Sequence, residues 1–251
     1  MDRLNPMIWF GNVSKTYGKS GRAAVENLQL TVERGEIFGF LGPNGAGKTT
    51  TIKMVTGILE PDAGEIEVDG ISIIDHPVQA KKRIGYVPDS ADPYPRLTGL
   101  EYLTFMADIH QVGADIRKNR IPEWVERLGM ESAIGNLIDS YSRGMKQKIS
   151  LIASMIHQPP VWILDEPMVG LDPRSSAILK EEMRRHSDRG NTVFFSTHVL
   201  EVAERLCDRL AILQEGRLVA TGELEQLRQG TGGNVTDEQT LENLFLELTA
   251  E

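Results

Sequence analysis

Two patterns of hydrophobic residues along the chain predict two kinds of β-strand. Apolar and polar residues alternate over residues 7–13, 28–32 and 65–68, which is typical of strands that bury one face. Other segments are short and almost continuously apolar, as in the buried strands of a parallel sheet. These segments are residues 37–41, 84–87, 161–165, 192–196 and 210–213. We therefore expect a largely parallel core sheet flanked by an antiparallel β layer.

A long segment with helical periodicity interrupts the predicted core strands. Residues 90–158 have almost no strand pattern, so we predict that they form an inserted helical subdomain. Thr98 and Glu101 give a capping-box sequence for its first helix. The expected apolar face of that helix contains Leu100, Leu103 and Ala107. A later helix should begin after Ser142 as N-cap. Its expected apolar face contains Met145, Ile149, Ile152 and Ile156.

Composition narrows the class of protein. The 251 residues are 40% hydrophobic, which is enough for a packed core, and no apolar run approaches the roughly 20 residues that span a bilayer. The first residues lack a signal-peptide pattern, and we expect the lone cysteine, Cys207, to be a small buried thiol. The net charge of −9 disfavours nucleic-acid binding, which requires clustered Lys and Arg. We therefore expect a globular cytoplasmic protein with no nucleic-acid partner.

A glycine-rich loop between a predicted strand and a predicted helix carries the strongest chemical signal. The loop consists of Gly42, Pro43, Asn44, Gly45, Ala46, Gly47, Lys48, Thr49 and Thr50. Its glycines allow backbone N–H groups to surround phosphate oxygens, and the following helix start also favours anions. Lys48 supplies a cation for the β and γ phosphates, and the Thr49 hydroxyl can bind Mg²⁺. The sequence therefore predicts an ATP or GTP site.

The apolar strand that begins at residue 161 ends in two neighbouring carboxylates. Asp165 and Glu166 should lie at the sheet edge where the phosphates bind. Asp165 can then hold Mg²⁺ through water, and Glu166 is the candidate base that accepts a hydrogen bond from the attacking water. The turn that contains Ser142 and Gly144 provides a second helix N-terminus for an anion, although an ordinary capped core helix would have a similar sequence.

Five motifs in a fixed order resemble the nucleotide-binding subunits of ABC transporters. They are the loop at residues 42–50, Ser142-Arg143-Gly144, Leu164-Asp165-Glu166-Pro167, Gly170-Leu171-Asp172-Pro173 and Ser196-Thr197-His198. The resemblance extends from about residue 9 to residue 222. It implies an α/β P-loop NTPase fold with the sheets and helical subdomain described above. The segments at residues 35–41 and 244–249 further resemble single-domain ATPase subunits of bacterial exporters.

The resemblance also implies an arrangement of subunits and roles for further residues. Two ATPase subunits, identical or different, would form a head-to-tail dimer in which the Ser142–Gly144 turn of one covers the ATP of the other. Tyr17 would stack on adenine, His198 would contact the γ-phosphate, and Asp172 would link the two sites. The dimer would lie on the inner face of the cell membrane and drive membrane-spanning subunits through the surface around residues 89–98.

Three residues depart from the family pattern. Asp89 replaces a glutamine that ligates Mg²⁺ and contacts the membrane subunit; its carboxylate can still bind a hard cation, but it is shorter and charged. Arg143 replaces a glycine and Met145 replaces a glutamine. Arg143 could add charge at the γ-phosphate or point outward. These changes leave open a regulatory subunit with little turnover, and a soluble ABC-type ATPase acting on DNA, ribosomes or protein assembly is a further alternative.

The predicted domain organisation separates the last residues from the rest. An ATPase domain covers residues 1–229, and residues 230–251 contain a glycine-rich linker and a short C-terminal helix. Thr236 and Gln239 would cap this helix. Its apolar stripe contains Leu241, Leu244, Phe245 and Leu248. Such a stripe is expected to dock on the chain's own body, with a dimer or partner contact as the alternative.

Overall fold

A computed structural model describes residues 6–18, 21–229, 241 and 245–246. The strands are β1 (Ile8–Thr16), β2 (Ala23–Val32), β3 (Ile37–Leu41), β4 (Ala63–Val68), β5 (Ile71–Ser72), β6 (Ile84–Val87), β7 (Val161–Asp165), β8 (Thr192–Thr197), β9 (Arg209–Gln214) and β10 (Arg217–Glu223). The helices are α1 (Lys48–Val55), α2 (Pro77–Lys81), α3 (Gly99–Ile109), α4 (Ala114–Arg127), α5 (Arg143–Met155), α6 (Pro173–Asp188), α7 (Leu200–Leu206) and α8 (Leu224–Gln229). Within the described ranges, none of these helices has the length and apolar character to cross a bilayer.

The strands form the two predicted sheets. The antiparallel sheet has the order β2-β1-β4-β5, and the larger sheet has the order β10-β9-β3-β8-β7-β6. In the larger sheet, β9, β3, β8, β7 and β6 run parallel, and β10 is an antiparallel edge strand. The α/β fold class predicted from the sequence is therefore confirmed.

Alternate residues of the central strands enter two different hydrophobic cores. Phe38 and Phe40 of β3 pack with Phe194 of β8 in the core between the two sheets, with ring centroids 5.9 and 5.2 Å from Phe194. Val193 and Phe195 face the other core, which the helices cover. Because side chains alternate across a strand, a strand that is buried on both faces must be apolar at every position.

The segment between β6 and β7 is helical, as predicted, and contains α3, α4, a short 3-10 helix at Ile138–Ser140 and α5. The capping box is present, because Glu101 N donates to Thr98 Oγ1 and Thr98 N donates to Glu101 Oε2. The prediction for Leu100 is wrong: its side chain is 49% exposed, whereas Leu103 and Ala107 are buried. Gly99 occupies the buried position one turn before Leu103, since a Cβ there would lie 2.3 Å from the Tyr141 hydroxyl.

Two described residues of the C-terminal segment contact the body of the chain. Leu241 is fully buried, and Phe245 is partly buried beside it; both pack against a cluster that includes Leu41, Leu210 and Ile212. This supports docking on the chain's own body. The predicted linker and the remaining positions of the predicted helix lie outside the described residues.

Candidate nucleotide-binding site

The predicted phosphate loop connects the end of β3 to the start of α1 and is held tightly by neighbouring strands. Gly45 and Gly47 have positive φ angles of 82° and 106°, a region that favours glycine. A Cβ on Gly47 would lie 2.4 Å from the carbonyl oxygen of Ala24 in β2, and one on Gly42 would lie 2.5 Å from that of Leu213 in β9. The glycines therefore allow the loop to lie close against the backbones of both strands.

Lys48 begins α1 and is almost completely buried, with 7% of its surface exposed. Its Nζ donates to the carbonyl oxygens of Gly42 at 2.6 Å and Pro43 at 3.2 Å and lies 3.9 Å from Glu166 Oε1. Burial lowers the pKa of Lys48, and the nearby carboxylates of Glu166 and Asp165 oppose this shift. The loop thus holds the ammonium group of Lys48 in a fixed position against the carboxylate pair.

Asp165 is the last residue of β7, Glu166 follows it, and the two carboxylates have different surroundings. Asp165 is buried, and burial raises the pKa of its carboxyl group although the Ser196 and Thr49 hydroxyls oppose the shift. Glu166 has a left-handed backbone with φ of 47°, which is uncommon for a residue other than glycine. Its Oε2 lies 2.9 Å from His198 Nδ1. The structure therefore brings together Lys48, Glu166 and His198, the three predicted catalytic residues.

Two of the predicted metal ligands, Thr49 and Asp165, offer oxygen atoms to a cation. Asp165 Oδ2 is buried and has no hydrogen-bond partner in the described structure, and the Thr49 hydroxyl is close enough to affect the Asp165 pKa. Hydroxyl and carboxylate oxygens suit Mg²⁺, which usually keeps waters and substrate phosphates as its other ligands. Among the described residues no three His, Cys, Asp or Glu side chains form a metal cluster. Thr49 and Asp165 therefore fit a magnesium ion that completes its shell with phosphate and water.

Asp89 and Tyr17 each lie just after the end of a strand. Asp89 is exposed after β6, and its charge raises the pKa of Asp165. It lines a surface hollow of about 300 Å³ together with Arg143. Tyr17 directly follows β1 and is 49% exposed. Both predicted roles, Mg²⁺ ligand and adenine platform, stay predictions.

The Ser142–Gly144 turn lies at the start of α5 and contacts the loop before α6. Ser142 Oγ accepts from Met145 N at 3.3 Å, which confirms Ser142 as N-cap. A Cβ on Gly144 would lie 2.7 Å from the Gly170 carbonyl oxygen, so the two segments touch through their backbones. Asp172 caps α6 and pairs with Lys148 at 2.9 Å. The hydrogen bonds from Lys148 and Ser175 lower the pKa of Asp172.

Ser196 is a polar group of the site that was not predicted from the sequence. It lies directly opposite Asp165 in the parallel pairing of β7 and β8. The only sequence signal was its place before Thr197 and His198 in a motif. Its contact with Asp165 depends on the register of two strands, which the sequence does not specify.

Comparison with known proteins adds four findings. Residues 25–169 match the family described as ABC transporter. The linearmycin resistance ATP-binding protein LnrL of Bacillus subtilis (strain 168) is 36% identical over 238 residues, which cover 95% of this chain and 76% of that protein. The Nod factor export ATP-binding protein I of Burkholderia orbicola (strain AU 1054) is 38% identical over 215 residues, or 86% of this chain and 70% of that protein. A solved ATP binding subunit of an ABC transporter is 32% identical, with a TM-score of 0.90, and the match covers 96% of this chain and 99% of that one.

Proposed function

Because the chain belongs to the ABC transporter family as an ATP-binding subunit, we propose that it hydrolyses ATP with Mg²⁺ to drive export through membrane-spanning partner subunits. Export is supported by two relatives, whose names refer to linearmycin resistance and Nod factor export. The chemistry is supported by one observation above all. The Glu166 carboxylate lies 3.9 Å from Lys48 Nζ and 2.9 Å from His198 Nδ1, at the end of the strand beside the phosphate loop.

In the proposed reaction, the residues of the site have different tasks. The loop N–H groups and Lys48 bind the β and γ phosphates, while Glu166 accepts a hydrogen bond from the water that attacks the γ-phosphorus. His198 is close enough to Glu166 to orient its carboxylate, and in this reaction it would also contact the γ-phosphate. Thr49 and Asp165, with Asp89 as a further oxygen donor, would hold Mg²⁺, which neutralises phosphate charge when bound.

The proposed dimer uses the exposed part of the Ser142–Gly144 turn. Ser142 is exposed at the N-terminus of α5, where unpaired N–H groups favour a phosphate. In a head-to-tail dimer, this turn would cover the γ-phosphate on the partner subunit, and Asp172 would lie at the contact between the two sites. ATP would then bind the closed dimer better than the open one, which is the requirement for a ligand to drive a conformational change.

The proposed contact with the membrane subunits is an apolar hollow on the helical segment, between residues 94 and 105. It is lined by Tyr94, Pro95, Arg96, Leu97 and Phe105. The Tyr94 and Phe105 rings meet edge to face at 5.5 Å, and both side chains are substantially exposed. Exposed apolar surface of this kind is typical of protein contacts. Because the hollow follows Asp89 along the chain, movement of a partner there can reach the nucleotide site.

The test compares two variants of the site with a remote control. Glu166→Gln should bind ATP normally but stall turnover, because the amide is a poor acceptor for the attacking water, whereas Lys48→Ala should weaken ATP binding. Phosphate release measures turnover, a fluorescent ATP analogue measures binding, and light scattering with ATP and Mg²⁺ measures dimerisation. Glu131→Gln, an exposed carboxylate on the helical segment, is the control. Near-normal hydrolysis by Glu166→Gln would exclude the role given to Glu166.

A further inference from the structure

One buried hydroxyl group connects the two carboxylate residues of the site. Ser196 lies in β8 directly opposite Asp165 in β7, and its surface is completely buried. Its Oγ donates a hydrogen bond to Asp165 Oδ1 at 2.6 Å and accepts one from the backbone N–H of Glu166 at 3.0 Å. The single hydroxyl therefore acts as donor to one residue and as acceptor from the next, and each bond polarises the other.

The bond to Glu166 restrains a backbone conformation that the residue would not adopt by itself. Glu166 has a φ of 47°, and a non-glycine residue remains in this region only where its surroundings fix it. This conformation directs the carboxylate between Lys48 and His198. The N–H bond to Ser196 is a direct restraint on the peptide that sets this direction.

The hydrogen bond from Ser196 to Asp165 determines which carboxylate oxygen of Asp165 stays available for a cation. Oδ1 is occupied by Ser196, while Oδ2 is buried and has no partner in the described structure. Rotation of the carboxylate would break a short bond to a charged acceptor, which is stronger than one between neutral groups. Oδ2 therefore keeps one orientation, and the Thr49 hydroxyl is close enough to affect the same carboxyl group.

From these contacts we propose that Ser196 is a positioning residue for ATP hydrolysis, which fixes the Asp165 carboxylate for Mg²⁺ and the Glu166 backbone for water activation as one unit. The inference rests on the proposed function. The neighbouring Thr197 has a separate task, since its Oγ1 accepts from Val199 N and shapes the turn that carries His198. Ser196 itself touches neither the phosphate loop nor His198 through any described hydrogen bond.

The test removes the hydroxyl in two ways. Ser196→Ala deletes one oxygen atom, and Ser196→Val and Ser196→Thr form a matched pair that differs only in the hydroxyl group. We expect kcat to fall about tenfold or more in the Ala and Val variants, because each leaves a buried N–H and a buried carboxylate oxygen unpaired. Thr should stay within about threefold of the parent. ATP affinity in EDTA should be unchanged in all three, because the hydroxyl does not bind nucleotide.

A second readout does not depend on turnover. In the Glu166→Gln background, which retains the backbone N–H, light scattering gives the Mg²⁺ concentration for half-maximal dimerisation with ATP. Adding Ser196→Ala should raise this concentration about threefold or more, because Asp165 is no longer held in one orientation. An unchanged Mg²⁺ requirement would overturn the Asp165 half of the proposal. Turnover above half of the parent value in Ser196→Ala, or equal turnover in the Thr and Val variants, would overturn the Glu166 half.

These outcomes can be separated from failure of the proposed function. If Glu166→Gln hydrolyses ATP normally, the catalytic assignment itself is wrong, whatever Ser196 does. If Glu166→Gln stalls and Ser196→Ala turns over normally with normal Mg²⁺ dependence, the proposed function stands and only the positioning role is lost.

Discussion

The close approach of the phosphate loop to β2 predicts that Gly47 and Gly45 differ sharply in their tolerance of alanine. Both residues have positive φ angles, 106° for Gly47 and 82° for Gly45. A Cβ on Gly45 would meet no atom within 4 Å, whereas one on Gly47 would lie 2.4 Å from the Ala24 carbonyl oxygen. The two substitutions therefore share the backbone strain, and only Gly47→Ala adds a steric clash.

The expected losses of unfolding free energy follow from the backbone strain and the steric clash. An L-residue in the left-handed region costs about 1–2 kcal/mol, which is the expected loss of unfolding free energy for Gly45→Ala. Overpacking a tight contact costs about 1–3 kcal/mol more, so Gly47→Ala should lose about 2–5 kcal/mol. Because Ala24 O belongs to the backbone of β2, the loop rather than a flexible side chain must move. We therefore also expect weaker ATP binding in Gly47→Ala than in Gly45→Ala.

Urea unfolding measures the first effect, with the free energy obtained from the midpoint and slope of each transition. Titration with a fluorescent ATP analogue measures the second. Equal losses of unfolding free energy in the two variants would refute the reasoning, since strain alone would then explain both. A loss below about 1 kcal/mol in Gly47→Ala would show that the loop can move away from β2 without penalty.

Two further predictions concern stability. Leu241→Ala should lower the free energy of unfolding by about 2–5 kcal/mol because the side chain is fully buried. As a control, Leu246→Ala should change it by less than about 0.5 kcal/mol, because Leu246 is 58% exposed. Equal effects of the two substitutions in urea unfolding would argue against docking of the C-terminal segment. Burial lowers the pKa of His186 from 6.5 to about 4, so the unfolded chain binds the proton first and stability falls as pH drops from about 6.5 towards 4. Between pH 6 and 5, His186→Gln should remove up to about 1.4 kcal/mol of this loss. Urea unfolding of parent and variant at both pH values measures it. If the unfolding free energy falls by the same amount in both proteins between pH 6 and 5, the prediction is wrong.

The sequence was most informative where a structural element can be built from only a few residue types. Continuously apolar segments predicted β3 and β7 because a strand buried on both faces must be apolar throughout, and the glycines of residues 42–50 predicted a loop that needs positive φ angles. The edge strand β10, Arg217–Glu223, was not predicted, since its side chains alternate only between exposed and half-buried positions. The prediction for Leu100 was wrong because Gly99 occupies the buried position. Glycine has no apolar side chain, so it does not contribute to a pattern of hydrophobic residues.

Contacts between distant residues were the part that the sequence could not supply. Asp165 and Ser196 are 31 positions apart, and their bond exists because β7 and β8 pair in parallel with those two residues in register. Shifting the register by one residue would turn the Ser196 side chain to the other face of the sheet. A serine before Thr197 and His198 could therefore be noted in the sequence, but its function could be inferred only from the paired strands.

The two charged departures from the family pattern, Asp89 and Arg143, meet at one place in the structure. Both line the same hollow of about 300 Å³, which also contains Asp92 and Lys146, paired at 3.4 Å. A carboxylate at position 89 adds negative charge near Asp165 and raises its pKa, which opposes the ionised form that a cation requires. The guanidinium of Arg143 brings a positive charge to the same hollow, so the four side chains sum to zero charge. From the sequence alone, Arg143 could contact the γ-phosphate or point outward. Its side chain lies beside Gly170 and lines the same hollow as Asp89, so the two departures bring opposite charges to one place.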